Sequence, residues 1–69
     1  MKEGTRVRTL RELWLTINGI EICIPSNTQG TVTEIHNSTL IPKNSTIVIV
    51  RVDINSLEYS FFYDELQVI

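Results

Sequence analysis

The sequence predicts an all-β domain, built as a small antiparallel barrel or sandwich. Three observations predict this class: apolar and polar residues mostly alternate at a period of two, β-branched residues are frequent, and turn residues separate the short apolar runs. No stretch sustains the period of an amphipathic helix. We expect about five or six short strands, arranged as a single domain over residues 1–69.

The composition limits both the size of the core and the kinds of partner. A chain of 69 residues buries only about 60% of its unfolded surface, so its core is small. The net charge is −2 and the pI is near 5.2, which disfavours a general affinity for nucleic acid. Cys23 is the only cysteine, and the chain begins with charged residues rather than an apolar signal segment. We therefore expect a cytoplasmic or equivalent reducing compartment and no membrane segment.

A strand and then a hairpin are predicted in the first third of the chain. Residues 5–10 read TRVRTL, and the alternation around Val7 favours a strand. The runs WLTI and IEIC flank Asn18-Gly19, a strong hairpin signal because both positions of a type I′ turn take positive φ. Pro25 lacks an N–H, so strand pairing is expected to end there.

Two more strands and a loop follow. Residues 30–37 read GTVTEIHN, and the three-residue spacing of Val32 and Ile35 requires a bulge in a strand. Residues 38–45 are expected to form a polar loop. Residues 46–53 read TIVIVRVD, which is apolar on both sides and typical of a central strand covered on both faces.

The C-terminal segment, EYSFFYDELQVI, holds four of the five aromatic residues. Alternation along it predicts that Tyr59 and Phe61 face the core and that Phe62 faces outward, with Tyr63 at the turn. Asp64 is expected to cap a short 3₁₀ turn by accepting a backbone N–H. The run LQVI then forms the last strand.

This order of elements resembles an SH3-like barrel, with a hairpin in its long first loop and a short 3₁₀ turn before the last strand. The segments KEGTRVR, GTVTEI, IVIVRV and DELQVI also resemble small barrels of photosynthetic electron-transfer complexes. These include the variable chain of ferredoxin–thioredoxin reductase and the stromal subunit of photosystem I. The resemblance implies an accessory subunit with no chemistry of its own.

The residues that most often carry chemistry have structural interpretations here. His36 has no second ligand type close in sequence, whereas zinc takes three or four protein ligands. Cys23 lacks a positive neighbour that would lower its pKa. Asp64 and Glu65 are adjacent in a turn, so their carboxylates are not expected to converge on a substrate. We expect no catalytic residue, no metal and no cofactor.

Two groups of residues are candidates for binding. Trp14, Phe62 and Tyr63 are the expected partner-binding residues, since Trp and Tyr are frequent at binding hot spots. Trp14 has two interpretations: it plugs one end of the core, or it stands on the outer face of the hairpin. Arg6, Arg8 and Arg11 form the main basic cluster, which is a candidate anion-binding stripe.

These features predict a non-catalytic protein-interaction module that acts as an accessory subunit or regulator. The expected partner is another protein or a second copy of the chain in a homodimer. The alternative is a nucleic-acid- or ribosome-associated barrel that uses the N-terminal arginines. Nucleic acid is the less favoured partner, because the arginines are not interleaved with aromatic residues that stack bases.

Overall fold

The computed structural model describes residues 1–37 and 46–69, which form strands and one 3₁₀ turn. The strands are β1 (Arg6–Thr9), β2 (Leu13–Ile17), β3 (Ile20–Ile24), β4 (Gln29–His36), β5 (Ile47–Val52), β6 (Glu58–Phe62) and β7 (Leu66–Val68). The 3₁₀ turn spans Tyr63–Glu65, where the sequence predicts it. The all-β class is confirmed, and the described strands number seven rather than about five or six. The polar loop expected at 38–45 lies outside the described residues.

Five strands form one antiparallel sheet in the order β6-β5-β4-β1-β7, and β2 and β3 form a separate two-stranded hairpin. Strand β4 lies between β1 and β5, so its residues approach backbone on both sides. At Gly30 this approach is very close, since a Cβ there would lie 2.5 Å from the carbonyl oxygen of Arg51 and 2.6 Å from Cγ1 of Val50. Only glycine fits at this position of β4 without displacing β5.

The bulge predicted in β4 is confirmed. Val32 pairs with Val50 and Glu34 pairs with Ile49, so Thr33 is the extra residue between two ladder positions. The hydroxyl of Thr33 donates to the carbonyl of Ile49 at 3.3 Å. The bulge increases the local twist, and it allows both Val32 and Ile35 to pack on the core.

The hairpin at Asn18-Gly19 is confirmed. Asn18 has φ of 51° and Gly19 has φ of 79°, the positive values that a type I′ turn requires. Leu13 pairs with Ile24 at the base, and both side chains are buried in the core. Burial decreases toward the tip, where Ile20 is 66% exposed. The hairpin is therefore anchored at its base and projects from the core at its tip.

Thr9 fastens the end of the first loop to the sheet. Its side chain is buried, and its hydroxyl donates to the carbonyl of Pro25 at 2.8 Å and accepts the Thr28 N–H at 3.0 Å. Its backbone N–H and carbonyl bond to Thr28 and Asn27 at 2.9 Å each. The hydroxyl and the backbone of this one buried residue thus satisfy hydrogen-bonding groups of the loop and connect the loop to the strand.

The core lies between the inner face of the sheet and the base of the hairpin. Its buried members are Val7, Leu13, Ile24, Val32, Val48, Val50, Val52, Tyr59, Phe61 and Leu66. Tyr59 and Phe61 therefore face inward as predicted, while Phe62 faces outward. The hydroxyl of Tyr59 accepts a hydrogen bond from the side-chain amide of Asn55 at 3.0 Å, so its polar atom is satisfied at the edge of the core.

Two expectations about single elements are wrong. Strand β5 is central, since it pairs with both β4 and β6, but only one of its faces is buried. Ile47 and Ile49 on the other face are half-buried, because the core covers only the valine face. In the 3₁₀ turn, the capping carboxylate belongs to Glu65 rather than Asp64. Oε1 of Glu65 reaches back across the turn and accepts the N–H of Phe62 at 2.7 Å.

Candidate functional site

The outer face of the five-stranded sheet carries an apolar surface at one end. Phe62 on β6 lies directly opposite Ile47 on β5, and the next pair on this face is Ile49 with Ser60. The Phe62 side chain is 50% exposed although it is large and apolar. Tyr63 follows it in the 3₁₀ turn and is 49% exposed. We call Phe62, Ile47 and Ile49 the sheet patch, and Tyr63 follows it directly in the chain.

Backbone and side-chain hydrogen bonds hold the sheet patch in position. The N–H of Tyr63 donates to the carbonyl of Thr46 at 3.2 Å, which extends the β5–β6 ladder into the turn. The N–H of Phe62 is held by Glu65, as described above, and the Leu66 N–H closes the turn on the carbonyl of Tyr63. These hydrogen bonds hold the backbone that carries the exposed aromatic rings, which reduces the entropy lost on binding.

Trp14 occupies the outer face of the hairpin, so the interpretation in which it plugs the core is wrong. Its side chain is 64% exposed, because Leu13 and Leu15 on either side of it turn toward the core. The indole N–H donates to a carboxylate oxygen of Glu12 at 3.0 Å. Cys23 lies directly across the hairpin from Trp14 on the same face. We call Trp14, Thr16, Glu21 and Cys23 the hairpin face.

The three predicted partner-binding residues therefore lie on three elements, in two separate regions of the molecule. Phe62 and Tyr63 adjoin each other at the end of the sheet, and Trp14 belongs to the separate hairpin sheet. The structure brings Phe62 together with Ile47 and Ile49. The sequence predicts these two isoleucines in a strand that is covered on both faces. Alternation along IVIVRV shows that Ile47 and Ile49 share one face of the strand. Because both faces of the run are apolar, the sequence does not show which face is outward.

The three arginines of the predicted anion-binding stripe already have polar partners. Arg6 makes two parallel hydrogen bonds to the Asp53 carboxylate, at 2.8 and 2.5 Å. Arg8 donates to the side-chain oxygens of Gln67 and of Asn27, the latter at 3.3 Å. Arg11 lies 3.7 Å from a carboxylate oxygen of Glu65. Each guanidinium is thus directed at a neighbour in the fold.

The ion pair between Arg6 and Asp53 affects the titration of both groups. The hydrogen bonds from Arg6 hold the pKa of the Asp53 carboxyl below its ordinary value of 3.8. The same bonds raise the pKa of Arg6. The pair joins β1 to the turn after β5, so it links two distant parts of the chain on the outer surface.

Cys23 does not have the electrostatic surroundings of a reactive thiol. Desolvation raises the pKa of the Cys23 thiol, and the nearby carboxylate of Glu12 raises it further. A raised pKa reduces the thiolate fraction at neutral pH, and the thiolate is the nucleophilic form. This agrees with the expectation that the neighbours of Cys23 do not activate it.

His36 ends β4 and lies 3.8 Å from a carboxylate oxygen of Glu34. The same end of the molecule has an open groove of about 420 Å³, lined by Met1, Lys2, Glu3, Glu34, Ile35, His36 and Asn37. In residues 1–37 and 46–69 the structure contains no group of three or more His, Cys, Asp or Glu side chains that could hold a metal ion.

No protein family, no curated protein and no solved structure matches this chain. The resemblance to accessory subunits of photosynthetic complexes therefore stays a prediction. Among the described residues there is no helix with the length and apolarity that a membrane crossing requires.

Proposed function

We propose that this chain is an SH3-like barrel and works as a non-catalytic protein-interaction module, an accessory subunit or regulator of a larger complex. The order of elements supports the barrel: a hairpin interrupts the first loop, and a 3₁₀ turn comes directly before the last strand. Strand β4 also pairs with β1 at its beginning and with β5 along its length.

The observation that carries the interaction proposal is the sheet patch. Phe62 lies opposite Ile47 on the neighbouring strand. Tyr63 follows Phe62 in the chain, and both of these large aromatic side chains are about half-exposed. Apolar surface left in water is unfavourable by about 25 cal/mol per Å², and a partner that covers it recovers this free energy. Adjoining exposed aromatic residues on a rigid strand and turn are typical of a binding hot spot.

The nucleic-acid alternative stays a prediction that the geometry does not favour. Binding to phosphates would require Arg6, Arg8 and Arg11 to exchange their present partners for the ligand. The net charge of −2 would oppose the approach of a polyanion. Binding to a single-stranded oligonucleotide that weakens steeply with salt would favour this alternative over a protein partner.

Affinity capture from the source organism, with matched surface variants, tests the proposed function. The wild-type protein should recover a stoichiometric partner, and Phe62→Ser should lose it. Ile54→Ser is the control, because Ile54 is 83% exposed in the turn between β5 and β6 and lies outside the sheet patch. This variant should recover the partner as the wild type does.

Light scattering after size exclusion decides whether the partner is a second copy of the chain. A dimer that Phe62→Ser converts to a monomer would make the sheet patch a symmetric interface. A monomer that recovers no partner at native abundance would contradict the interaction module altogether.

A further inference from the structure

Two strand edges face each other across a groove between the hairpin and the sheet. The groove has a volume of about 370 Å³ and is lined by Leu15, Thr16 and Ile17 of β2 and by Glu58, Tyr59 and Ser60 of β6. Among the strands of residues 1–37 and 46–69, β6 is the outermost of its sheet and β2 pairs only with β3. In the part of the chain that the structure describes, no backbone hydrogen bond joins β2 to β6.

The register of the β5–β6 ladder identifies the backbone groups of β6 that point into this groove. The N–H of Val52 donates to the carbonyl of Leu57 at 3.0 Å, so these two residues belong to a hydrogen-bonded position. Hydrogen-bonded positions recur at every second residue of an antiparallel ladder, so Tyr59 and Phe61 bond to β5. Ser60 therefore directs its N–H and C=O away from β5 and toward the groove.

The same reasoning applies to β2 on the opposite wall. Ile17 and Ile20 flank the two-residue turn and form the hydrogen-bonded pair that closes the hairpin. Leu15 and Ile22 form the next such pair, so Thr16 directs its N–H and C=O away from β3. Both walls of the groove thus present backbone donors and acceptors that an extended chain can satisfy.

The hairpin that forms one wall of the groove carries only negatively charged side chains. The hairpin, over residues 12–24, contains Glu12 and Glu21 and no lysine or arginine. Glu21 lies directly across the hairpin from Thr16. On the other wall, Glu58 is paired with Arg51 at 3.3 Å, so that wall contributes little net charge. The complementary ligand carries positive charge.

We propose that this groove binds an extended, basic segment of a partner protein by strand addition, with backbone hydrogen bonds to Ser60 of β6 and Thr16 of β2. The inference rests on the proposed function, because it names the chemistry of the partner of the interaction module. Strand addition obtains its affinity from backbone hydrogen bonds and its specificity from alternate side chains. It also covers two strand edges whose unpaired backbone groups would otherwise favour aggregation.

A phage-displayed library of linear octapeptides, selected on the immobilised full chain, is the first test. The enriched peptides should carry lysine or arginine and β-branched residues, with no proline in the paired stretch. Addition of an enriched peptide should slow amide hydrogen exchange at Ser60 and Thr16. Enriched peptides that are acidic, or that leave exchange at both residues unchanged, would overturn strand addition.

A matched pair of variants at Ser60 is the second test. Ser60→Pro removes the N–H that points into the groove and leaves the β5 ladder intact, so peptide retention should fall about tenfold or more. Ser60→Ala keeps that N–H and should bind as the wild type does. Thr16→Pro and Thr16→Ala repeat the comparison on β2, with thermal unfolding as the check on folding. Equal binding by a folded proline variant would contradict the proposal.

The outcomes separate this inference from the proposed function. A protein partner that is lost in Phe62→Ser but bound fully by Ser60→Pro would overturn strand addition and leave the interaction module standing. Self-association that Ser60→Pro abolishes would also overturn it, because the occupant of the groove would then be a second copy of this acidic chain.

Discussion

The inner and outer faces of β6 differ sharply in their exposure to solvent. Phe61 points into the core and is 2% exposed, whereas its neighbour Phe62 is 50% exposed beside Ile47. Two identical side chains, one residue apart, thus have different physical surroundings. On the proposed function, Phe61 serves stability and Phe62 serves binding, so a substitution at one position should leave the other property nearly unchanged.

The largest expected effect is therefore on the inner face. Phe61→Ala should lower the free energy of unfolding by about 3–5 kcal/mol, because it leaves a cavity among the buried valines. Phe62→Ala should lower it by less than about 1 kcal/mol, the usual size of a cross-strand contact. Urea unfolding of both variants measures this difference. If Phe61→Ala does not fold, Phe61→Leu keeps the comparison measurable, and equal losses at the two positions would contradict the division.

A second comparison contrasts glycines of the sheet and of the hairpin. Gly30→Ala should destabilise by about 1–3 kcal/mol, because its Cβ would overlap the backbone of Arg51 and β5 would have to move. Gly19 has open space around its Cβ position, so Gly19→Ala should cost only the strain of positive φ, about 1 kcal/mol. Thermal unfolding of both variants is the measurement, and a larger loss at Gly19 would show that the hairpin contributes more to stability than its exposure indicates.

The attachment of the hairpin to the sheet supplies a third comparison. Thr9→Val removes the hydroxyl that accepts the Thr28 N–H and should cost about 1–2 kcal/mol, since that partly buried donor is left without its partner. Thr16→Val is the control, because Thr16 is exposed on the hairpin face and should change stability little. Chemical denaturation of the two variants gives both values. No loss in Thr9→Val would mean that this hydrogen bond does not help to fasten the loop.

The smallest expected effect concerns the surface pair of Arg6 and Asp53. The pKa of Asp53 is lower in the folded protein than its ordinary value of 3.8, so its stabilising contribution is complete above that pH. The contribution is lost as the pH falls through the folded-state pKa. Asp53→Asn should therefore show a weaker decline in stability below pH 3.8 than the wild type does. Parallel unfolding curves of the two proteins at acidic pH would exclude this contribution.

The parts of the fold that the sequence predicts correctly depend on neighbouring residues. Asn18-Gly19 specifies its own turn, the spacing of Val32 and Ile35 requires a bulge, and alternation separates Phe61 from Phe62. Each of these signals lies within a few residues, so no tertiary information is needed to read it.

The parts that the sequence does not predict depend on distant residues. Arg6 forms an ion pair with Asp53, which is distant in sequence. The sequence alone therefore presents Arg6 as a candidate anion-binding residue. Ile47 and Ile49 belong to an apolar run whose outer face is recognisable only when the sheet is assembled. The edges of β2 and β6 likewise face each other only in the folded chain. Candidate binding surfaces therefore need the tertiary structure, although most strands do not.

Two measurements on Phe62→Ser test the central claim most directly. Calorimetry gives the affinity of this variant for the captured partner, and unfolding gives its stability. The division of β6 predicts a loss of binding of about tenfold or more, as for a hot-spot residue, with a change in unfolding free energy below about 1 kcal/mol. Unchanged affinity in a variant that remains folded would contradict the claim that the outward half of this strand is the binding surface.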